Sequence, residues 1–374
     1  MKRTGMKRNG TRISLPFLLV VLLAAPGAAD KIYRTDGKVI EGVNIVEETL
    51  THVIYKKGNA QSNLASADVI RVEFERKPRL VDEADQALVE EDPIGALEVF
   101  DDYVDGQIRN PKEKKKWAPA YAAFRALEVC KLLDDLPGLV SRADRLIQNF
   151  PDSRYLPETY LAKANALARQ GKTRNAQGVL RTFLKLVDEK TLSKRWALEC
   201  QLGLILTDEA TKGAAKRDKL VEIVSEAGGQ FPTVRSRAEV AQGETFVKEA
   251  EQVVTKDGQK AVEFYKQALG IFTGITNAQK ADAATLAGAY TGRGDALINQ
   301  GIIGKDTALI QEALMAYLRV VVNYEEHSQY VAKSMFQAMR CFELLEDRER
   351  KAKMRFELKA RYPNSNWAQI ADNY

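Results

Sequence analysis

The sequence predicts a mainly α protein, an α-solenoid of about seven antiparallel helix pairs preceded by a small N-terminal β domain. Three observations carry that expectation. Hydrophobic residues alternate with period two over residues 30–76, the pattern of half-buried strands. From Leu80 to the end the period becomes helical. Within that stretch, YLAKANALARQG (160–171) is matched by YTGRGDALINQG (290–301), 130 positions later, as expected when one supersecondary unit is copied along a chain.

The first 29 residues form a separate element. Lys2, Arg3, Lys7, Arg8 and Arg12 precede an almost wholly apolar run, ISLPFLLVVLLAA, and no acid interrupts them. Gly27 and Ala29 stand three and one before a cut that would leave Asp30 as the mature N-terminus. This order is that of a secretory signal peptide, and it places the protein in the periplasm or cell envelope. The run is short for a bilayer span, which needs about 20 residues, so no transmembrane span is expected after cleavage; an uncleaved anchor is the alternative. The whole chain has 56 Lys+Arg against 51 Asp+Glu, and five bases but no acids lie in the leader. The remainder is therefore balanced, which argues against nucleic acid as a partner. One basic run remains, Lys112–Lys116 between Pro111 and Trp117. It reads as a solvated loop or helix start, with peripheral contact to membrane or cell wall as the alternative.

In residues 30–76 the apolar positions Ile32, then Val39, Val43 and Ile45, then Val53 and Tyr55, then Val69–Phe74 predict four or five short strands. Turns are expected at Asp36/Gly37 and Lys57/Gly58/Asn59. A segment this small buries a modest core and must lean on its neighbour. The stretch DGKVIEGVNIVEE, with Gly42 at a bend in the second strand, resembles the first motif of Sm-like small barrels. Their RNA-contact residues have no counterpart here, so the resemblance implies a barrel-like meander and stops short of RNA binding.

Residues 80–374 carry a second repeated signature, Ala followed four residues later by a large apolar residue. It occurs at Ala96/Phe100, Ala143/Ile147, Ala176/Leu180, Ala261/Tyr265, Ala313/Tyr317 and Ala352/Phe356, with Leu220/Val224 in the gap. The mean spacing is about 43 residues. Small residues let helix axes approach and large ones fill the space between pairs. NFPDS (149–153), QFPTV (230–234), NYEEH (323–327) and RYPNS (361–365) punctuate the pattern, where Pro stops a helix and Ser or Asp caps the next.

At these residues the chain resembles tetratricopeptide repeat proteins of the bacterial envelope. Tyr160 takes the large aromatic position, Ala164 the small crossing position and Gly171 the turn, with Ala176 and Leu180 in the second helix. Lys163 and Arg293 stand where the family has leucine, Phe183 where it has a small residue, and the units exceed its basic 34 residues. The resemblance implies a superhelix whose inner face is lined by first-helix residues: Leu161, Asn165 and Arg169 in one unit, Thr291, Asp295 and Asn299 in the other. An amide or acid at the Asn165/Asp295 position is suited to a peptide backbone; simple solvation or ties between repeats are the competing explanation.

No catalytic constellation, cofactor site or metal site is expected. His52 and His327 lie in different domains without ligand spacing. Cys130, Cys200 and Cys341 sit in apolar helical segments, as buried free thiols do. GIIGKDT (301–307) lacks the glycine spacing of a phosphate loop and has Asp306 where Ser or Thr is needed, GRGD (292–295) belongs to a helix turn, and Glu90, Glu91 and Asp92 read as acids at a helix N-terminus. The expected function is a non-enzymatic scaffold or adaptor that binds envelope protein partners through the groove. The alternative is an accessory protein binding a small ligand or cell-wall glycan, with Tyr160 and Tyr290 as stacking surfaces.

Overall fold

A computed structural model describes residues 29–278 and 281–374. The predicted leader, apart from Ala29, lies outside the described residues. The N-terminal part is an antiparallel sheet of five strands: β1 (Asp30–Arg34), β2 (Val39–Glu48), β3 (His52–Lys57), β4 (Ala60–Ala65) and β5 (Val69–Glu73), in the order β4-β3-β2-β1-β5. The first half of β2 pairs with β1 and its second half with β3. Between Asp30↔Val43 and Ile32↔Ile40 the register slips. Gly42 lies in that bulge at φ +74°, a conformation that side chains with a Cβ resist. Both predicted turns are present, with Gly37 and Gly58 at positive φ.

Fifteen α-helices follow among the described residues. They are α1 (Arg79–Val89), α2 (Pro93–Arg109), α3 (Ala118–Leu132), α4 (Leu136–Asn149) and α5 (Leu156–Arg169). Next come α6 (Thr173–Glu189), α7 (Lys194–Thr207), α8 (Gly213–Ala227), α9 (Pro232–Val253) and α10 (Gly258–Ala278). The last are α11 (Ala283–Gly304), α12 (Thr307–Asn323), α13 (Ser328–Leu344), α14 (Arg348–Arg361) and α15 (Asn366–Asp372). None is long and apolar enough to cross a membrane. Each helix packs on the next in sequence, and α5 also touches α7, α7 touches α9, α9 touches α11, and α11 touches α13. The row turns back on itself: the Ser328 hydroxyl, at the start of α13, donates to the Lys131 carbonyl near the end of α3 at 2.6 Å.

The Ala-and-large signature falls on alternate helices. On α2, α6, α10 and α12 both members are buried. At the last repeat the expectation fails: Phe356 on α14 is 74 % exposed, and the core residue is Leu358. The buried stripe of α14 runs through Met354, Leu358 and Tyr362, about 80–160° around the helix from Ala352 and Phe356. Spacing of four occurs on any helical face, so it did not reveal which face is inward. The Pro tokens need a second correction. Pro232 opens α9, where a missing N–H costs nothing, after α8 has already ended ahead of Gly228 at φ +48°. Of the acids at 90–92, only Asp92 serves a helix start, accepting from the Gly95 amide at 2.9 Å. Glu90 closes α1, and Glu91 sits at φ +61°.

The sheet is fastened to the helices by a shared core that joins Ile32, Val43 and Val53 to Phe100, Leu127 and Leu139. Phe74, just beyond β5, stacks on Trp117 with ring centroids 3.4 Å apart. Glu48 at the end of β2 is buried between Arg154, at 3.2 Å, and the Tyr155 hydroxyl, at 2.7 Å. Burial pushes the Glu48 carboxyl up against the pull of both partners. The basic loop also faces the sheet, where Lys116 pairs with Glu47 at 3.4 Å and Lys115 donates to the Arg76 carbonyl.

The GRGD string is explained by packing. Gly292 abuts the Phe272 ring of α10, and Gly243 of α9 meets the same ring. Gly294 leaves room for the Tyr317 ring. Gly292→Ala should therefore lower unfolding stability by about 1–3 kcal/mol, because a ring held by two helices cannot yield to an added methyl. Gly178→Ala, on α6 with nothing within 4 Å, should raise it by about 0.5–1 kcal/mol. Urea unfolding of both variants reads the two signs, and a neutral Gly292→Ala would contradict the packing account.

Candidate functional site

The row of helices, turned back on itself, borders a half-open cavity of about 870 Å³. Its walls come from alternate helices: α3, α5, α7, α9, the start of α11 and the start of α13, with Leu136 and Leu139 of α4 at one side. Leu161, Asn165 and Arg169 of α5 all face it. Asn165 is exposed to it, while Arg169 reaches the buried carboxylate of Asp134 at 2.7 Å.

Thr291, Asp295 and Asn299 do not line the cavity, which corrects the expected equivalence of the two matched units. Thr291 is 2 % exposed and bonds to the Ala287 carbonyl at 2.8 Å and the Ser334 hydroxyl at 3.1 Å. Asp295 is 7 % exposed and accepts from Tyr317 Oη at 2.8 Å, Lys333 Nζ at 2.6 Å and Gln337 Nε2 at 3.4 Å. Asn299 donates to the Asp295 carbonyl at 2.8 Å. Here α13 lays Lys333, Ser334 and Gln337 over the face that α5 leaves open, so these groups tie adjacent helices together.

The cavity wall also holds residues not anticipated from the sequence. Glu158 of α5 stands one turn before Leu161, and spacing alone would have found it: 158, 161, 165 and 169 form one helical stripe. Arg195 and Trp196 come from α7, with the guanidinium 4.6 Å from the indole centroid. Glu199 is buried and paired with Arg237 of α9. Glu244 of α9 lies beside Tyr330 of α13, whose phenol is pushed up to about 12 by burial first and Glu244 next. Burial raises the Glu158 carboxyl above its usual range, against the pull of Arg154, Arg195 and Lys131.

Lys163 and Arg293, the two departures from leucine, make ion pairs across helix pairs, to Asp144 at 2.5 Å and to Glu312. Tyr160 stacks on Phe183 at 5.1 Å, and Tyr290 leans on Tyr324 at 6.0 Å, so both are engaged in packing. Asp306 caps α12, accepting from Ala308 N at 2.9 Å. The three cysteines are buried and free, and burial raises their thiols to about 11 at Cys130 and about 12 at Cys200 and Cys341. They are therefore thiols, not thiolates, at neutral pH.

His52 begins β3 on the surface, while His327 flanks the seam where α13 meets α3. Burial lowers the His327 imidazole below 6.5; Glu326 and Asp282 pull it up and Lys131 pushes it further down. Protonation is thus harder in the folded chain than in the unfolded one. The resulting stability is complete above pH 6.5 and is lost as pH falls toward the lowered value. Between about pH 7.5 and about pH 5, the native protein should lose more stability to acid than His327→Asn. Parallel pH curves in urea titrations would contradict this. Comparison with protein families and with curated proteins finds no match for the chain.

Proposed function

We propose that this chain is a non-enzymatic scaffold or adaptor of the cell envelope, a tetratricopeptide-like superhelix that holds a protein partner along its inner surface. Taken two at a time, α1–α14 make seven helix pairs, with α15 as a closing helix and the small sheet, Sm-like in its first motif, as an N-terminal cap. The observation that carries the reading is the cavity lined by alternate helices, with Leu161, Asn165 and Arg169 on its wall. Concave surfaces made by the first helices of stacked pairs are the binding faces of such arrays. Export to the envelope rests on the leader-like residues 1–29.

The test is capture from an envelope extract on immobilised protein beginning at Asp30. Leu206→Glu combined with Asn165→Lys changes two exposed residues of the wall, and it should abolish retention of a defined partner. Retention undiminished by that double change would remove the cavity from the proposal. Trp196 and Tyr330 give the small-ligand or glycan alternative its aromatic surfaces on the wall. Under that alternative, cell-wall fragments would raise the melting temperature.

A further inference from the structure

We infer that the cavity takes a basic, extended segment of polypeptide, an inference that rests on the groove reading above and adds the chemistry of its occupant. Opposite charges on the wall first cancel one another. Arg125 pairs with Glu128 at 2.7 Å, Arg237 pairs with Glu199, and Arg169 pairs with Asp134 behind it. Among the described residues, Glu158, Glu244, Glu326 and Asp282 then remain without an ion-pair partner, against Lys131 and Arg195.

These leftovers are not equivalent. Arg195 already lies over Trp196, and Lys131 lies 5.8 Å from the Phe124 centroid. Asp282 is occupied as the cap of α11, accepting from the Thr285 amide and hydroxyl at 3.0 and 2.8 Å. Glu158 has its own backbone amide and the pull of Arg154, Arg195 and Lys131, while Glu244 and Glu326 have no side-chain hydrogen bond or ion pair among the described residues. Lys333, which acts on Glu244 from α13, is held by Asp295 at 2.6 Å. A recess walled by protein focuses this uncancelled negative field, and charge pairs formed inside it are stronger than in open water. A cationic group offered to Glu158 also relieves the burial that raises its carboxyl.

The rest of the lining selects a polypeptide over a small cation. Leu132, Leu136, Leu161 and Leu206 supply apolar contacts between the charged positions. The Asn165 amide both donates and accepts, as a peptide backbone requires. The volume lies toward the upper end of about 300–1,000 Å³ for ligand sites. Anionic glycans and phosphate-bearing ligands meet a lining whose unpaired charges are four carboxylates against two cations, and are disfavoured.

The experiment compares three fluorescein-labelled nonapeptides by anisotropy with the protein from Asp30 onward, at low salt. They are (Lys-Ser-Leu)3, (Gln-Ser-Leu)3 and (Glu-Ser-Leu)3, with unlabelled spermidine as competitor. The basic peptide should bind at least about tenfold more tightly than the neutral one, equivalent to about 1.4 kcal/mol, with the acidic one weakest. Added salt should erase the difference. Glu158→Gln with Glu244→Gln should remove the basic preference, so that the basic and neutral peptides bind alike. Glu326→Gln, on an exposed residue, should reduce it by a smaller factor without any bearing on folding. Equal binding of all three peptides, or a basic preference that survives the double change, overturns the inference and leaves the groove reading intact. Spermidine binding with no peptide bound overturns the polypeptide assignment. Failure of every probe to bind overturns both.

Discussion

Replacing Asp295 by alanine is expected to lower unfolding stability by about 3–5 kcal/mol, the cost of stripping one member from a buried charge pair. The carboxylate is 7 % exposed and serves three donors at once, from Tyr317, Lys333 and Gln337. Tyr317 has no exposed surface, so its hydroxyl would lose its partner with no water to replace it. Lys333 would lose its counter-charge. The Lys333 side chain is 30 % exposed, which places the expected loss near the lower end of that range. Asp295→Asn retains an acceptor for Tyr317 and removes the charge, and should cost about 1–3 kcal/mol. In Tyr317→Phe the effect of Asp295→Ala should shrink, since the hydroxyl is then no longer there to be orphaned. Urea unfolding followed by far-UV circular dichroism measures the two Asp295 variants, Tyr317→Phe and the Tyr317→Phe, Asp295→Ala double variant. A loss below about 0.5 kcal/mol for Asp295→Ala would mean that the residue is a solvated surface group after all.

The contrast between Asn165 and Asp295 marks the boundary of what local sequence could reveal. Both stand five positions after a tyrosine in matched segments, and both lie on the same face of their helices. One is open to the cavity, and the other is sealed by residues 38 and 42 positions downstream. Helix existence, the strand-to-helix change near residue 80 and the turn glycines depend on neighbours in sequence and were legible. Which face is covered depends on the next helix but one. The same distinction accounts for β4: AQSNLA has no β-branched residue and only half-buries Leu64. It is a strand because Gly58 turns the chain back and β3 offers a full ladder from His52↔Ala65 to Lys57↔Ala60. It also accounts for Trp196, whose place on the cavity wall depends on α7 lying across from α5 and α9.

Those cross-helix relations also bear on binding. Glu199 pairs with Arg237 between α7 and α9, and Arg169 with Asp134 between α5 and the α3–α4 turn. The wall is therefore braced by charge pairs that leave a different set of carboxylates free. The bracing carboxylates, Glu199 and Asp134, differ from those proposed to recognise a ligand, so the latter can be neutralised without unpicking the wall.

Phe183→Ala is expected to cost about 3–5 kcal/mol, the range for truncating a fully buried aromatic side chain. Phe183 stands where the resembling family keeps a small residue, and its exposure is 0 %. The ring lies nearly parallel to Tyr160, 4° between planes, and 6.4 Å from Trp196. Val187 and Cys200 complete the cluster. A small residue here would let α6 approach its neighbours; a phenylalanine fills the gap and props Trp196 from behind. Truncation leaves a void that rigid helices close only in part. Phe183→Leu, which conserves more of the volume, should cost less than half as much. Because Trp196 lines the cavity on its other side, the alanine variant should also shift tryptophan emission and weaken whatever the cavity holds by more than Phe183→Leu does. Loss of stability with unchanged binding in both variants would separate the aromatic cluster from the cavity wall and confine its role to packing.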